Sequence, residues 1–265
     1  MLDPAGLFYF CYTYAMQGSL HIALAAERLF TVWGIPVTNS LVAEWLVMAF
    51  LIVAAYFVGR NPTLVPGKLQ AALEWLFEFV LGYMKETLES ETLALRFFPL
   101  IVTIFLFVLC LNWFEFLPLG AVGVWQGGEL VPLFRTTTTD LNLTLALAAI
   151  AYLTVELTGM FVLGFLRYGS KFVNFKEGAL GFLIGLIEFV SNLARLVSFS
   201  FRLFGNIFAG EVLIAVAVAF MPYFLPVPFM LFEVFVGLVQ AAIFALLTLV
   251  FIKLAVAEPH AAGAH

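Results

Sequence analysis

Residues 178–220 run for 43 residues without a proline, almost wholly apolar, yet carry four charged side chains: Glu188, Arg195, Arg202 and Glu211. As one helix this stretch is about 65 Å long at about 1.5 Å per residue, roughly twice the hydrocarbon thickness of a bilayer. It must either break, near Gly205 or Gly210, or lie strongly tilted in the membrane. The missing proline favours a tilted helix that returns through the long apolar run 229–256. Composition supports lipid as the solvent. The chain is 64% hydrophobic and 11% charged, with a mean hydropathy of +1.09, against about 25% charged residues in ordinary soluble domains. The net charge is −5, and the 12 Lys and Arg residues form no basic patch, which excludes nucleic acid as a partner. The start of the chain has no basic region and carries Asp3 and Pro4, which argues against a cleaved signal. Cys11 and Cys110 offer no disulfide framework or metal spacing, and His21, His260 and His265 all lie near the termini. No cofactor or metal is expected.

Five runs are long enough to cross a bilayer: 41–58, 97–111, 141–166, 178–220 and 229–256, the second being short and dependent on its flanks. Residues 68–91 read differently. Leu69, Leu73, Leu76, Phe77, Val80, Met84 and Leu88 share one helical face, and Gln70, Glu74, Glu78, Lys85 and Glu89 the other. That is an amphipathic helix suited to the membrane surface, and its glutamates make a sixth span improbable. The fold expected is an all-α integral membrane protein: about five membrane-embedded helices, one amphipathic surface helix, and two long tilted C-terminal helices forming a hairpin. Residues 1–40 form an N-terminal extracytoplasmic segment, 41–256 a single membrane domain, and 257–265 a cytoplasmic tail. Arg60, Lys68, Lys85, Arg96, Arg167, Lys171, Lys176 and Lys253 fall on one side of this layout, and Arg28 and Arg135 on the other. That asymmetry places the N-terminus outside and the C-terminus in the cytoplasm.

Charges inside lipid cost about 2.5–3.5 kcal/mol each on insertion scales, so those in 178–220 need a reason. At about 100° per residue, Glu188, Ser191, Arg195, Ser198 and Asn206 all fall within about 40° of Arg202. Glu211 falls on the opposite face. A narrow polar stripe on an apolar helix faces a partner or a water-filled path. Inert pairing of Glu188 with Arg195 is the plainer reading for those two, and Arg195 can also snorkel toward the cytoplasm; Arg202 lies deeper. The last helix carries Glu233 and Gln240 on one face. Across the 221–228 turn the Glu233 end meets the Glu211 end. Asn112 and Glu115 close the second span, while Asp140 and Asn142 open the third. Each alone reads as a cap or an interfacial residue. Together they suggest a hydrated acidic funnel open to the outside, with a separate cytoplasmic funnel at the Glu188–Ser191 end.

The segment RLVSFSFRLFGNIFAGEVL, residues 195–213, resembles the signature of the a-subunit family of F-type ATP synthases, with Arg-Leu-Phe-Gly-Asn at 202–206 and Ala-Gly-Glu at 209–211. NWFEFLP at 112–118, FRTTTTDLNLT at 134–144, and the Glu233-to-Gln240 spacing extend the likeness from about residue 40 to 256. The resemblance implies a non-catalytic, ion-translocating stator subunit, working with a ring of c-subunits, peripheral-stalk b-subunits and the rest of the complex in the lipid of a bacterial plasma membrane. It makes Arg202 the arginine that faces the ring carboxylates. Glu211, Glu233, Gln240, Asn112, Glu115, Thr138, Asp140 and Asn142 would line an outer half-channel. Glu188 and Ser191, with Asn192 near them, would line the cytoplasmic one. The chain departs from the family pattern at Leu196, where many relatives have Pro, at Phe199, where Leu is usual, and in having Glu at both 211 and 233, where one His is common.

Two rivals remain. A secondary proton- or cation-coupled transporter would show repeated halves and broken helices around a central site, and the sequence has no evident repeat. A membrane-embedded enzyme would need a nucleophile–base pair or a metal cluster in the spans, which the sequence lacks. The coupling ion, proton or sodium, is set mainly by the ring and is not legible here.

Overall fold

The computed structural model describes residues 28–32, 35–60, 67–116, 123–126, 129–132, 137–164, 178–221 and 224–256. Six helices dominate: α1 (Asn39–Arg60), α2 (Lys68–Leu88), α3 (Glu91–Phe114), α4 (Leu141–Leu163), α5 (Gly178–Phe220) and α6 (Pro226–Val256). All but α2 are long and apolar enough to cross a membrane, so the expected all-α membrane architecture of five spans and one amphipathic helix holds. Two short antiparallel hairpins were not foreseen. They pair β1 (Arg28–Val32) with β2 (Ile35–Thr38), and β3 (Gly123–Gln126) with β4 (Glu129–Pro132). Each is too short to show a clear alternation in a sequence dominated by helical runs.

The span expected at 97–111 is longer than its apolar core. Ser90 caps it, its side chain accepting from the Leu93 backbone N–H, and Glu91 in the first turn complements the helix dipole. Glu89, just before the cap, takes a left-handed φ of 52° and ends α2. Helix α2 therefore turns tightly into α3, and Phe77 meets Phe98 edge-on at 5.8 Å. The Pro-rich turn expected at 222–228 is shorter than that, because Pro226 and Pro228 sit in the first turn of α6, where no N–H is missed.

Helix α5 is a single helix of 43 residues, unbroken at Gly205 and Gly210. It runs antiparallel to α6: Gly210 faces Glu233, Asn206 faces Gln240, Phe199 faces Phe244, and Arg195 faces Phe251. These two helices are the long hairpin. Helix α6 is also the most enclosed span. Its inner residues Ala241, Phe244, Ala245, Leu249 and Ile252 pack with Ile101 and Val108 of α3, Ala148 and Val155 of α4, and Leu203 of α5. Small residues at 241 and 245 let neighbouring backbones approach closely. Helix α1 packs in a second, smaller cluster, where Ala43 and Val47, with Leu51 beside them, meet Leu111, Phe114 and Leu143. The rest of α1 exposes Phe50, Ile52, Tyr56 and Phe57, as a lipid-facing helix should.

At the end of the bundle where α2 turns into α3, Lys253 of α6 donates to Glu89 at 2.8 Å. That hydrogen bond, and then the lysine charge, hold the Glu89 carboxyl below its ordinary 4.5. A carboxylate with a lowered folded pKa stabilises above its unfolded pKa, and the gain is lost as pH falls through the folded value. The pair is solvent-exposed, so Glu89→Gln is expected to lower thermal stability only slightly at neutral pH. The difference from wild type should vanish well below pH 4.5, as read by thermal unfolding of detergent-solubilised protein. A gap that widens in acid would contradict this assignment.

Candidate functional site

The polar residues picked out by sequence fall into three groups. The first joins α3, α5 and α6. Asn206 donates to Gln240 Oε1 at 3.1 Å, and Asn112 donates to the Gly237 backbone carbonyl at 3.0 Å. The neighbouring Trp113 indole donates to the Val234 carbonyl at 3.1 Å. Glu233 is 4% exposed and lies within electrostatic reach of Glu211 on α5. Its carboxylate rests on the backbone at Gly210, where a side chain at 210 would overlap it. Glycine is required there because a carboxyl group and a helix backbone approach closely. Neither carboxylate oxygen of Glu233 has a hydrogen-bond partner among the described residues. A buried carboxylate with no donor is costly, so this position calls for a proton, a water or an ion. Glu115, half-buried at the end of α3, follows Asn112 by about one turn.

The second group lies where α1 and α4 begin. Asp140 caps α4, accepting from the Asn142 N–H at 3.0 Å and from the Ser40 hydroxyl at 2.8 Å. Thr137, Thr138 and Thr139 are buried beside it in the chain, and the hydroxyls of Thr137 and Thr138 have no partner among the described residues. Asn142 itself is exposed. Glu44, one turn after Ser40 and half-buried, lies within electrostatic reach of Asp140. Sequence reasoning missed Glu44. The available signal was a lone carboxylate inside an apolar run, one turn from a serine.

The third group is the stripe on α5. Ser191, Ser198 and Arg202 are exposed on the surface of the chain, Glu188 and Arg195 are half-buried, and Asn192 is 3% exposed. Arg202 and Arg195 diverge despite their similar angular position. The Arg195 guanidinium lies over the Phe251 ring at 4.5 Å, whereas Arg202 stands on the outer face. Between α4 and α5, the hydroxyls of Thr144 and Ser200 are 3.1 Å apart, a contact not anticipated from sequence.

The fold and these groups define a multi-pass helical membrane protein with an exposed arginine on a long helix and a buried carboxylate, Glu233, against the same helix about two turns further along. Comparison with known proteins agrees. The family model for the ATP synthase A chain matches residues 41–253. ATP synthase subunit a of Moorella thermoacetica is 31% identical over 85% of this chain and 94% of its own length. That of Desulfotalea psychrophila is 34% identical over 91% and 98%. A relative described as sodium ion specific, from Propionigenium modestum, is 32% identical over 86% of this chain and 78% of its own. The chain belongs to the ATP synthase subunit a family. Membership makes it an ion-translocating membrane component of that complex.

Proposed function

We propose that this subunit couples ion flow to the rotation of a ring of carboxylate-bearing c-subunits, with Arg202 as the fixed charge the ring must pass. The observation that carries this reading is the exposed polar stripe of Ser191, Ser198 and Arg202 on an otherwise apolar membrane helix. Lipid is an unfavourable neighbour for an arginine at that depth. A partner surface that brings its own carboxylates is a favourable one.

The chemistry follows from the charges. A guanidinium stays protonated at any working pH. In a low-dielectric setting it stabilises the ionised form of a passing carboxylate. The ring carboxylate must therefore release its proton to one aqueous path before reaching Arg202, and reload from the other after leaving it. The same positive charge opposes a direct leak between the paths. Glu211, Glu233, Gln240, Asn206 and Asn112 are assigned to the outer path, with Glu115, Thr138, Asp140 and Asn142 at its entrance. Glu188, Ser191 and Asn192 are assigned to the cytoplasmic path. The subunit makes and breaks no covalent bond. Peripheral-stalk b-subunits hold it against the torque, in a bacterial plasma membrane with the N-terminus outside and the C-terminus in the cytoplasm. Arg135 and Lys171, two cations that set this orientation, lie outside the described residues.

A disulfide trap tests the ring contact. Ser198→Cys is expected to cross-link, under mild oxidation of the assembled complex, to a cysteine placed beside the ring carboxylate. A cysteine at Ser198 that reacts with lipid-phase thiol reagents but never with the ring would count against the reading.

A further inference from the structure

Glu233 is buried, and neither of its carboxylate oxygens has a hydrogen-bond partner among the described residues. No such bond fixes where the carboxyl lies. Its seat on Gly210 depends instead on where the α6 backbone stands. Two neighbouring residues of α3 grip that backbone within about one turn of Glu233. The Asn112 amide donates to the Gly237 carbonyl at 3.0 Å, and the Trp113 indole donates to the Val234 carbonyl at 3.1 Å.

Successive residues on a helix point about 100° apart. Asn112 and Trp113 therefore straddle the line of contact, with Asn112 buried in it and Trp113 exposed at its edge. Val234 and Gly237 are three apart and share one face of α6. A backbone carbonyl has two lone pairs, so each can accept from α3 without leaving the helix ladder. Gly237 makes the approach possible. A methyl at 237 would stand 3.1 Å from the Asn112 Cβ, tighter than packed carbons accept unless a helix yields, with Trp113 Cδ1 at 3.7 Å. In lipid, apolar burial gives little preference for one helix register over another, and polar contacts of this kind carry more of the choice.

We propose that Asn112, Trp113 and Gly237 form a clasp that fixes the height of α6 against α3, and that Trp113 is a positioning residue for Glu233, acting through the α6 backbone. The inference rests on the assignment of Glu233 to the ion path. Asn112 belongs to that path by the same assignment. Trp113 does not, so its indole N–H can be removed without altering the chemistry of the path. With the clasp open, α6 is free to shift against α5, and the Glu233 carboxyl spends part of its time off its seat. Ion transfer slows in proportion to that time.

The test measures ATP-driven proton uptake in membrane vesicles, per amount of assembled complex. Trp113→Phe keeps an aromatic ring and removes the donor. It is expected to lower the maximal rate about threefold with the ATP KM unchanged. Gly210→Ala already unseats Glu233, so adding Trp113→Phe to Gly210→Ala should change that variant's rate by less than about 1.5-fold. If Trp113→Phe leaves too little complex to assay, Gly237→Ala carries the same test, with a loss of about fivefold that Gly210→Ala absorbs. Pumping unchanged by the variant that carries the test overturns the proposal. So does an equal fold loss with and without Gly210→Ala, which would make the indole bond general helix glue with no bearing on Glu233. Failure of the path assignment looks different: Glu233→Leu would then pump like wild type, and the clasp would have nothing to position. Slow pumping in Glu233→Leu beside a silent Trp113→Phe removes the clasp alone.

Discussion

Arg202→Ala is expected to abolish coupled activity, with ATP-driven proton uptake and ATP synthesis each falling at least about a hundredfold, while the subunit stays inserted and the complex assembles. Assembly should survive because the side chain is exposed on the isolated chain, and its loss opens no cavity in the core. On the proposed reading, passive proton permeability should rise in the same vesicles, because the charge that would separate the two aqueous paths is gone. Arg202→Lys should also be poor. Lysine keeps a charge but loses the planar fork, and it can deprotonate when desolvated. Arg195→Ala should be much milder. Proton uptake and passive permeability measured side by side decide the matter. Wild-type pumping in Arg202→Ala together with failure in Arg195→Ala would assign the essential charge to the other arginine.

The second large effect is expected where α5 touches α6. Glu233→Leu should slow ion flux at least about tenfold with the complex still assembled, since leucine fills a similar volume but can neither hold nor pass a proton. Gly210→Ala should act in the same direction without touching the carboxylate chemically, because the new methyl occupies the space of the Glu233 carboxylate and must displace it. Shortening the acid should partly compensate. Gly210→Ala/Glu233→Asp is expected to pump faster than Gly210→Ala alone. Equal pumping in Gly210→Ala and wild type would mean that Glu233 does not rest on that backbone during turnover. Gly205 is a useful contrast. A methyl there meets nothing within 4 Å among the described residues, so a defect of Gly205→Ala would point to a neighbouring subunit.

The membrane helices were legible because each is a long apolar run and lipid admits few other solutions. Even the length of α5 could be read, since no proline interrupts it. The ends were less so. Helix α3 gained nearly two turns at its start, where Ser90 and Glu91 set its beginning, a stretch that hydropathy alone discounts. The hairpins β1–β2 and β3–β4 left no usable pattern in strands of four or five residues. In the site, the stripe on α5 followed from helical periodicity. Its inward turn at Arg195 did not, because a long side chain chooses its direction from neighbours on other helices. Glu44 was invisible for the same reason: it is a single polar residue in an apolar run whose meaning lies in a helix pairing. The close seat of Glu233 on Gly210 likewise depends on the register between α5 and α6, which neither segment states by itself.

The length of α5 has a geometric consequence. For a helix of about 65 Å to lie wholly within about 30 Å of hydrocarbon, it would have to lean some 60° from the membrane normal. Along such a helix, height and sideways position change together, as on a ramp. Glu188 and Asn206 are separated by about 27 Å of helix. On this slope they differ by about 13 Å in depth but by more than about 20 Å across the membrane plane. A helix travelling sideways past the ramp, upright in the membrane, meets its low end and its high end at different moments. On the proposed coupling, the order in which a moving carboxylate meets one face of the membrane and then the other would be written into an angle, without any gate that has to open or close.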